Sequence, residues 1–158
     1  MIRTGIGYDV HKLEKGTSLI IGGVQVPSEL QSVGHSDGDS LIHSIIDSLL
    51  GAANLGDIGK YFPSEDEKWK DCSSGLFLKE IVKELTLNKY YIINIDSTIV
   101  LRKPKINPYI GEIKQNLALL MGTSENQISV KATTTDGLGY IGKSDGWSAL
   151  AISTIAQK

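Results

Sequence analysis

GHSDGDSLIHSIIDSLLGAANLGDIGKYFP, residues 34–63, is the stretch from which the rest of the chain can be read. It opens on a polar knot, His35-Ser36-Asp37-Gly38-Asp39, and passes into an apolar-periodic run. Leu41, Ile42, Ile45, Ile46, Leu49 and Leu50 fall on one stripe of a 3.6-residue period, which predicts an amphipathic helix over about residues 37–53. Ser36, three residues ahead of Asp39, is a relative of the capping-box pattern and marks its start. The opposite stripe carries Asp39, His43 and Asp47 at steps of four, so the three stack on one face. His43 thus has a carboxylate one turn to either side, and Asp47 is the expected acceptor for its second ring N–H. A glycine-flanked carboxylate, Asp57, closes the stretch.

A strand beginning at residue 2 supplies the partner. Its even positions Ile2, Ile6, Tyr8 and Val10 make an apolar face with Thr4, and its odd face reads Arg3, Gly5, Gly7, Asp9, His11. Side chains two apart on a strand point the same way, about 6.5–7 Å apart. Asp9 and His11 can therefore converge on one ion, with the glycines leaving backbone room beside it. With His43 they make three N/O ligands and leave a fourth position open, the count of a catalytic rather than a structural zinc. The plainer alternative is a strand-end Asp–His pair bonded to backbone, with His43 a half-buried helix residue.

Composition sets the outer bounds. A chain of 158 residues with 41% hydrophobic and 22% charged residues reads as one globular domain, 1–158, with a full core. A net charge of −2 gives no electrostatic case for nucleic acid or an anionic membrane. The single Cys72 has no internal disulfide partner, and a reducing compartment is the default. No apolar stretch approaches the ~20 residues of a membrane span. With its first strand at residue 2 the chain leaves no room for a signal or transit peptide, so the expected location is cytoplasmic.

Further along, residues 19–26 read as two short strands around Gly22-Gly23, a hairpin signal, with Pro27 ending the second and 28–33 a connector. Tyr61 to Ser74 is a charged loop, long enough to serve as a lid. A helix at 76–85 precedes a strand with Tyr91, Ile93, Ile95, Ile99 and Leu101 on its apolar face. Asn107 is a good N-cap, with Pro108 in the first turn, for a helix over 108–121. A strand at 127–133 delivers Lys131-Ala132-Thr133-Thr134-Thr135-Asp136, whose hydroxyls beside a carboxylate suit a diphosphate with a hard oxygen-seeking cation. Trp147 to Ile155 is apolar on both faces, and periodicity does not separate strand from helix there.

Gly7-Tyr8-Asp9-Val10-His11, Gly34-His35-Ser36-Asp37-Gly38-Asp39, Gly51-Ala52-Ala53, Leu55-Gly56-Asp57-Ile58-Gly59, Phe62-Pro63 and Lys131-Ala132-Thr133-Thr134-Thr135 occur in one order over essentially the whole chain. In this the chain closely resembles the 2-C-methyl-D-erythritol 2,4-cyclodiphosphate synthase family of the non-mevalonate isoprenoid pathway. The resemblance implies an α+β fold: a ferredoxin-like four-stranded sheet with helices packed on one face, plus a small β-hairpin. It also implies a homotrimer with active sites shared between adjacent subunits, and a strand for the chain end. The implied reaction is of the lyase class, in which 4-diphosphocytidyl-2-C-methyl-D-erythritol 2-phosphate cyclises and CMP leaves.

Residue roles follow from the same resemblance. Zn²⁺ would sit on Asp9, His11 and His43, and a second divalent cation, Mg²⁺ or Mn²⁺, on Asp136, where many relatives carry Glu. His35 and Thr134 would stabilise the transition state. Ser36 would contact substrate, Asp57 and Gly59 would bind the ribose, and Phe62 and Asp66 would lie around the methylerythritol end. The cytosine pocket would comprise Leu101, Pro104, Lys105, Ile106 and Asn107, with Thr133, Thr135, Tyr140 and Lys143 as further substrate contacts. Lys143 and Asp145 replace the Arg and Glu common in relatives at the trimer axis. Two other readings stand beside this one: a zinc-dependent nucleotide diphosphohydrolase, with water as nucleophile, and a non-catalytic metal-binding module.

Overall fold

The computed structural model describes residues 1–157. Its sheet begins with β1, Ile2–Lys15, which runs antiparallel to the last strand, β7, Gly146–Gln157, in register from Ile2↔Ala156 to Lys12↔Gly146. On the other side of β7 lies β5, Tyr90–Val100, also antiparallel, and outside it β6, Ile128–Thr133, parallel to β5. A short strand, β4, Leu30–Val33, pairs with the far end of β1 at the opposite edge. The order is β4-β1-β7-β5-β6, so the central sheet has five strands rather than four. Residues 30–33 read as connector because Leu30-Gln31-Ser32-Val33 is an edge strand with no fully buried side chain, and so sends no core signal.

A separate two-stranded sheet is formed by β2, Ser18–Ile21, and β3, Val24–Pro27. Gly22 and Gly23 both have positive φ, 60° and 75°, as a two-residue hairpin turn of the favoured hand requires.

Helix α1, Ser40–Ala53, lies across β1 and β7; α3, Ser74–Leu87, packs on α1 and β5, and α4, Ile110–Met121, on α3 and β6. The predicted stripe Leu41, Ile42, Ile45, Ile46, Leu49, Leu50 is wholly buried, against Phe77, Leu78 and Ile81 of α3 and Ile113 and Leu117 of α4. Asp39 is the N-cap of α1, accepting from Ile42 N at 3.0 Å, so the helix starts at Ser40, three residues later than a Ser36 cap would start it. Asp39 also accepts from Gly22 N and Gly23 N, and so ties the hairpin turn to the helix start. Asn107 is not a cap. It opens a 3-10 turn, Asn107–Tyr109, and α4 begins behind Tyr109 with no side-chain cap.

Two departures concern faces. On β1 the glycine-rich odd face is the covered one. A Cβ on Gly7 would fall 1.9 Å from Ser44 O, and one on Gly5 2.1 Å from Ser48 O, so α1 lies directly on the strand backbone. The apolar even face is left open, with Ile2 71% and Ile6 67% exposed. It continues across the register pairs Ile6↔Ile152 and Tyr8↔Leu150. On β5 a bulge between Ile92 and Asn94 inserts one residue and reverses the alternation. Ile92 is therefore buried with Ile95 and Ile99, while Tyr91 is exposed and Ile93 only half-buried.

Candidate active site

The close approach of α1 to β1 brings His43 against the polar end of the odd face. Asp9 Oδ2 lies 2.7 Å from His11 Nδ1 and 3.8 Å from His43 Nδ1. Ligand atoms of the three residues fall within 4.8 Å of one another. Asp9 Oδ2 is buried and has no hydrogen bond of acceptable geometry. An orphaned carboxylate oxygen facing two imidazoles is the arrangement that a divalent cation satisfies. Burial pulls the His43 pKa below the ordinary imidazole value, and the nearby His11 adds to this, while Asp9 and Asp37 oppose it. A neutral imidazole is the ligating form.

The second nitrogen of His43 is held by a residue that the sequence reading missed. Nε2 lies 2.8 Å from Ser74 Oγ, with Ser36 Oγ farther away at 3.3 Å. Ser74 donates in turn to Asp37 through both its hydroxyl and its backbone N–H. Asp47, the expected acceptor, instead receives Ile58 N at 2.8 Å. It thereby pins α2, Ile58–Tyr61, whose N-cap is Asp57. One helical turn on the same face puts Asp47 near His43 in sequence geometry, but the ring turns the other way, toward α3.

These groups open on a cleft of about 350 Å³ lined by Asp9, His11, His35, Ser36, His43, Gly59 and Phe62, all of them predicted, together with Ile58, Ser64, Trp69 and Phe77. Phe62 stacks on Phe77 at 4.3 Å between ring centroids, and Trp69 meets both edge-on, giving one wall an aromatic surface. Phe77 was legible only as a core position of its helix, because nothing in a 3.6 period marks a residue that also faces a cleft. His35 Nε2 is buried without a partner. Asp57 is exposed beside this cleft, and Asp66 caps a 3-10 turn, Glu67–Trp69, in the 62–73 segment.

A second cleft, about 270 Å³, is lined by Leu101, Pro104, Lys105, Ile106, Asn107, Thr133 and Thr134, again as expected, with Arg102 and Ala132 added. The Lys103–Pro104 peptide is cis. Thr134 also borders an open hollow with Thr135, Asp136 and Tyr140. Tyr140 meets Tyr8 hydroxyl to hydroxyl at 2.9 Å. Lys143 caps the short helix α5, Gly139–Gly142, and lines none of these spaces.

The two clefts share no lining residue. Val10, Ser148, Val100 and Thr133 lie in one row across the sheet, three strand spacings from end to end. At about 4.8 Å per strand, that separates the Asp9–His11 strand from Thr133 by roughly 14 Å.

The profile of the YgbB family matches residues 2–156, nearly the whole chain. The chain belongs to this family. A 2-C-methyl-D-erythritol 2,4-cyclodiphosphate synthase from Clostridium novyi is 54% identical over 99% of this chain and 100% of its own length. Among solved structures, the bifunctional IspDF of Campylobacter jejuni superposes with a TM-score of 0.96 at 37% identity, covering 100% of this chain and 43% of that one. The Plasmodium falciparum IspF, solved as a CDP complex, gives 0.87 at 34% identity, covering 99% and 97%. No helix among the described residues is long and apolar enough to cross a membrane.

Proposed function

We propose that this chain converts 4-diphosphocytidyl-2-C-methyl-D-erythritol 2-phosphate to 2-C-methyl-D-erythritol 2,4-cyclodiphosphate and CMP, as a phosphorus–oxygen lyase of isoprenoid biosynthesis in the cytoplasm. The observation that carries the reading is the convergence of Asp9, His11 and His43, with an orphaned carboxylate oxygen, at the floor of a cleft in a member of this family. The donor set of two imidazoles and one carboxylate suits zinc with an open position. A second divalent ion, Mg²⁺ or Mn²⁺, would use Asp136. Bound there, the two ions supply Lewis-acid polarisation and charge neutralisation for the diphosphate.

The chain's own residues do the positioning. An oxygen of the 2-phosphate forms a bond to the β-phosphorus while the bond from that phosphorus to the oxygen shared with the α-phosphorus breaks, and that oxygen leaves with CMP. No general base is needed, because a phosphate monoester is already ionised at neutral pH. His35, whose buried Nε2 is unpartnered, and Thr134 donate hydrogen bonds where negative charge develops. The Leu101–Asn107 turn holds cytosine, and Asp57 with the Gly59 backbone holds the ribose. Phe62, Trp69 and Phe77 form an apolar wall that keeps water, the competing nucleophile, from the β-phosphorus.

Assembly completes the site in this proposal. One diphosphate cannot touch both Thr134 and the Asp9–His11–His43 cluster across roughly 14 Å of one sheet. A homotrimer in which the cytidine cleft of one subunit faces the metal cleft of its neighbour removes the gap. The open apolar face of β1 and β7 is the surface such an assembly would bury. Phosphorus NMR of the product tests the whole proposal. A single cyclic diphosphate with free CMP is expected. Two acyclic phosphate products would make the chain a nucleotide diphosphohydrolase, and unchanged substrate would leave a metal-binding module.

A further inference from the structure

Ser74 stands at the first position of α3, fully buried, at the end of the loop-like 62–73 segment and 31 residues from His43. Its hydroxyl carries a single proton. A carboxylate such as that of Asp37 is an acceptor. Asp37 takes both the Ser74 hydroxyl and the Ser74 N–H, the latter at 2.9 Å on its second oxygen, so the serine proton is committed to the carboxylate. What Ser74 Oγ has left for His43 Nε2, at 2.8 Å, is a lone pair. A neutral imidazole has one N–H, so a hydrogen bond donated from Nε2 leaves the lone pair on Nδ1. Nδ1 is the atom that faces Asp9 Oδ2.

We propose that Ser74, held by Asp37, is a positioning residue that fixes the His43 tautomer and ring angle so that the Nδ1 lone pair is presented to the metal. This rests on the metal reading of the Asp9–His11–His43 cluster. Ser36 Oγ, at 3.3 Å from the same nitrogen, does not replace it. No carboxylate hydrogen bond commits the Ser36 hydroxyl proton among the described residues, so Ser36 can either donate or accept and imposes no tautomer. Asp37 thus acts at two removes. The same carboxylate sits against the start of α3, where exposed N–H groups favour negative charge, and so ties the helix that follows the 62–73 segment to the ligand.

The test compares wild type, Ser74→Ala and Ser73→Ala. Ser73 Oγ accepts from Gly75 N at 3.2 Å and caps the same helix without touching His43, so its loss loosens the helix end alone. Two readouts are taken: zinc affinity by competition with a chromophoric chelator, and the His43 tautomer in zinc-free protein by long-range ¹H–¹⁵N NMR at about pH 8, where imidazole is neutral. Wild type should show Nε2–H. Ser74→Ala should show a mixture of tautomers and bind zinc about 10–100-fold more weakly, the range for loss of an outer partner of a metal ligand. Ser73→Ala should match wild type in both. A wild-type ring protonated on Nδ1 overturns the inference, as does a Ser74→Ala protein with wild-type tautomer and zinc affinity, or an equal loss in Ser73→Ala. If wild type takes up no zinc, the metal reading fails, and the tautomer comparison still decides the role of Ser74. Should Ser74→Ala fail to fold, the wild-type tautomer decides it alone.

Discussion

Gly7→Ala probes the contact on which the Asp9–His11–His43 cluster depends. An alanine Cβ there would lie 1.9 Å from Ser44 O and 2.7 Å from Ser48 N, where real Cβ atoms essentially never come within 3.0 Å. Every near atom is helix backbone, so no rotamer change relieves the overlap, and α1 must retreat by about 1 Å. Overpacking of this kind costs about 1–3 kcal/mol, and the rigidity of two regular elements puts the expected loss in the upper half of that range. The retreat carries His43, the residue before Ser44, away from Asp9 and His11. Misplacement of a site by ~1 Å costs about a hundredfold in rate, so zinc affinity should fall by at least about tenfold and cyclisation by about a hundredfold. Urea unfolding, chelator competition and steady-state turnover measure the three effects. Gly111→Ala is the control. A Cβ there meets nothing within 4 Å, and the change should stabilise α4 by about 0.5–1 kcal/mol with zinc affinity unaltered. A Gly7→Ala protein with wild-type stability and zinc affinity would refute the claim that backbone contact between β1 and α1 builds the cluster.

Three further outcomes are expected. Burial above all, then the charge of Asp37, raises the Asp39 pKa to about 7 against three backbone N–H bonds that lower it. The folded chain therefore holds a proton that the unfolded chain has lost, and stability should fall as pH rises from about 4 to about 7. Urea unfolding of Asp39→Asn should show a flatter dependence across that window, and an unchanged slope would contradict it. Asp47→Ala should lose about 1 kcal/mol through its bond to Ile58 N yet keep wild-type zinc affinity, and a tenfold loss on chelator titration would restore Asp47 as the partner of His43. His43→Ala and Thr134→Val chains, each nearly inactive alone, should recover about a quarter of wild-type activity when co-refolded in equal amounts. Mixed rings confirmed by mass spectrometry but no more active than the separate variants would exclude a site shared between subunits.

What the sequence revealed depended on distance along the chain. Asp9 and His11 are two apart on a strand, and the α1 stripe repeats over three turns, so both follow from local geometry. His43 could be added because it stands on the polar side of that helix. Ser74 and Asp37 could not, since 37 residues separate them and each is an ordinary loop or helix-start residue by itself. Helical spacing stacks Asp39 with His43 and Asp47 on one polar face, whereas full burial and three backbone donors make it a structural clamp. The β5 face assignment failed at a single inserted residue, because one bulge exchanges inside for outside along everything N-terminal to it. The strand at 30–33 was invisible because an edge strand needs no apolar alternation.

β1 shows why alternation alone could not say which side of the sheet was the interior. Its apolar face is the open one, and its glycine-and-charge face lies under a helix. Ordinary burial would place Ile6 and Tyr8 inward and Gly7 and Asp9 outward. The inversion holds because Gly5 and Gly7 allow helix backbone to approach more closely than any side chain would permit, and the helix stripe joins a core that includes Phe77, Leu78 and Ile81 of α3 but none of the even-face residues Ile2, Ile6, Tyr8 and Val10 of β1. Two consequences follow from the one arrangement. A carboxylate and two imidazoles are drawn into a partly desolvated corner, where they can bind an ion tightly. An apolar surface that includes Ile2, Ile6, Tyr8, Leu150 and Ile152 is also left exposed on the far side of the sheet. The Asp9–His11 pair and the open apolar surface are thus the two faces of the same strand, and a substitution that restored ordinary alternation to β1 would disrupt both.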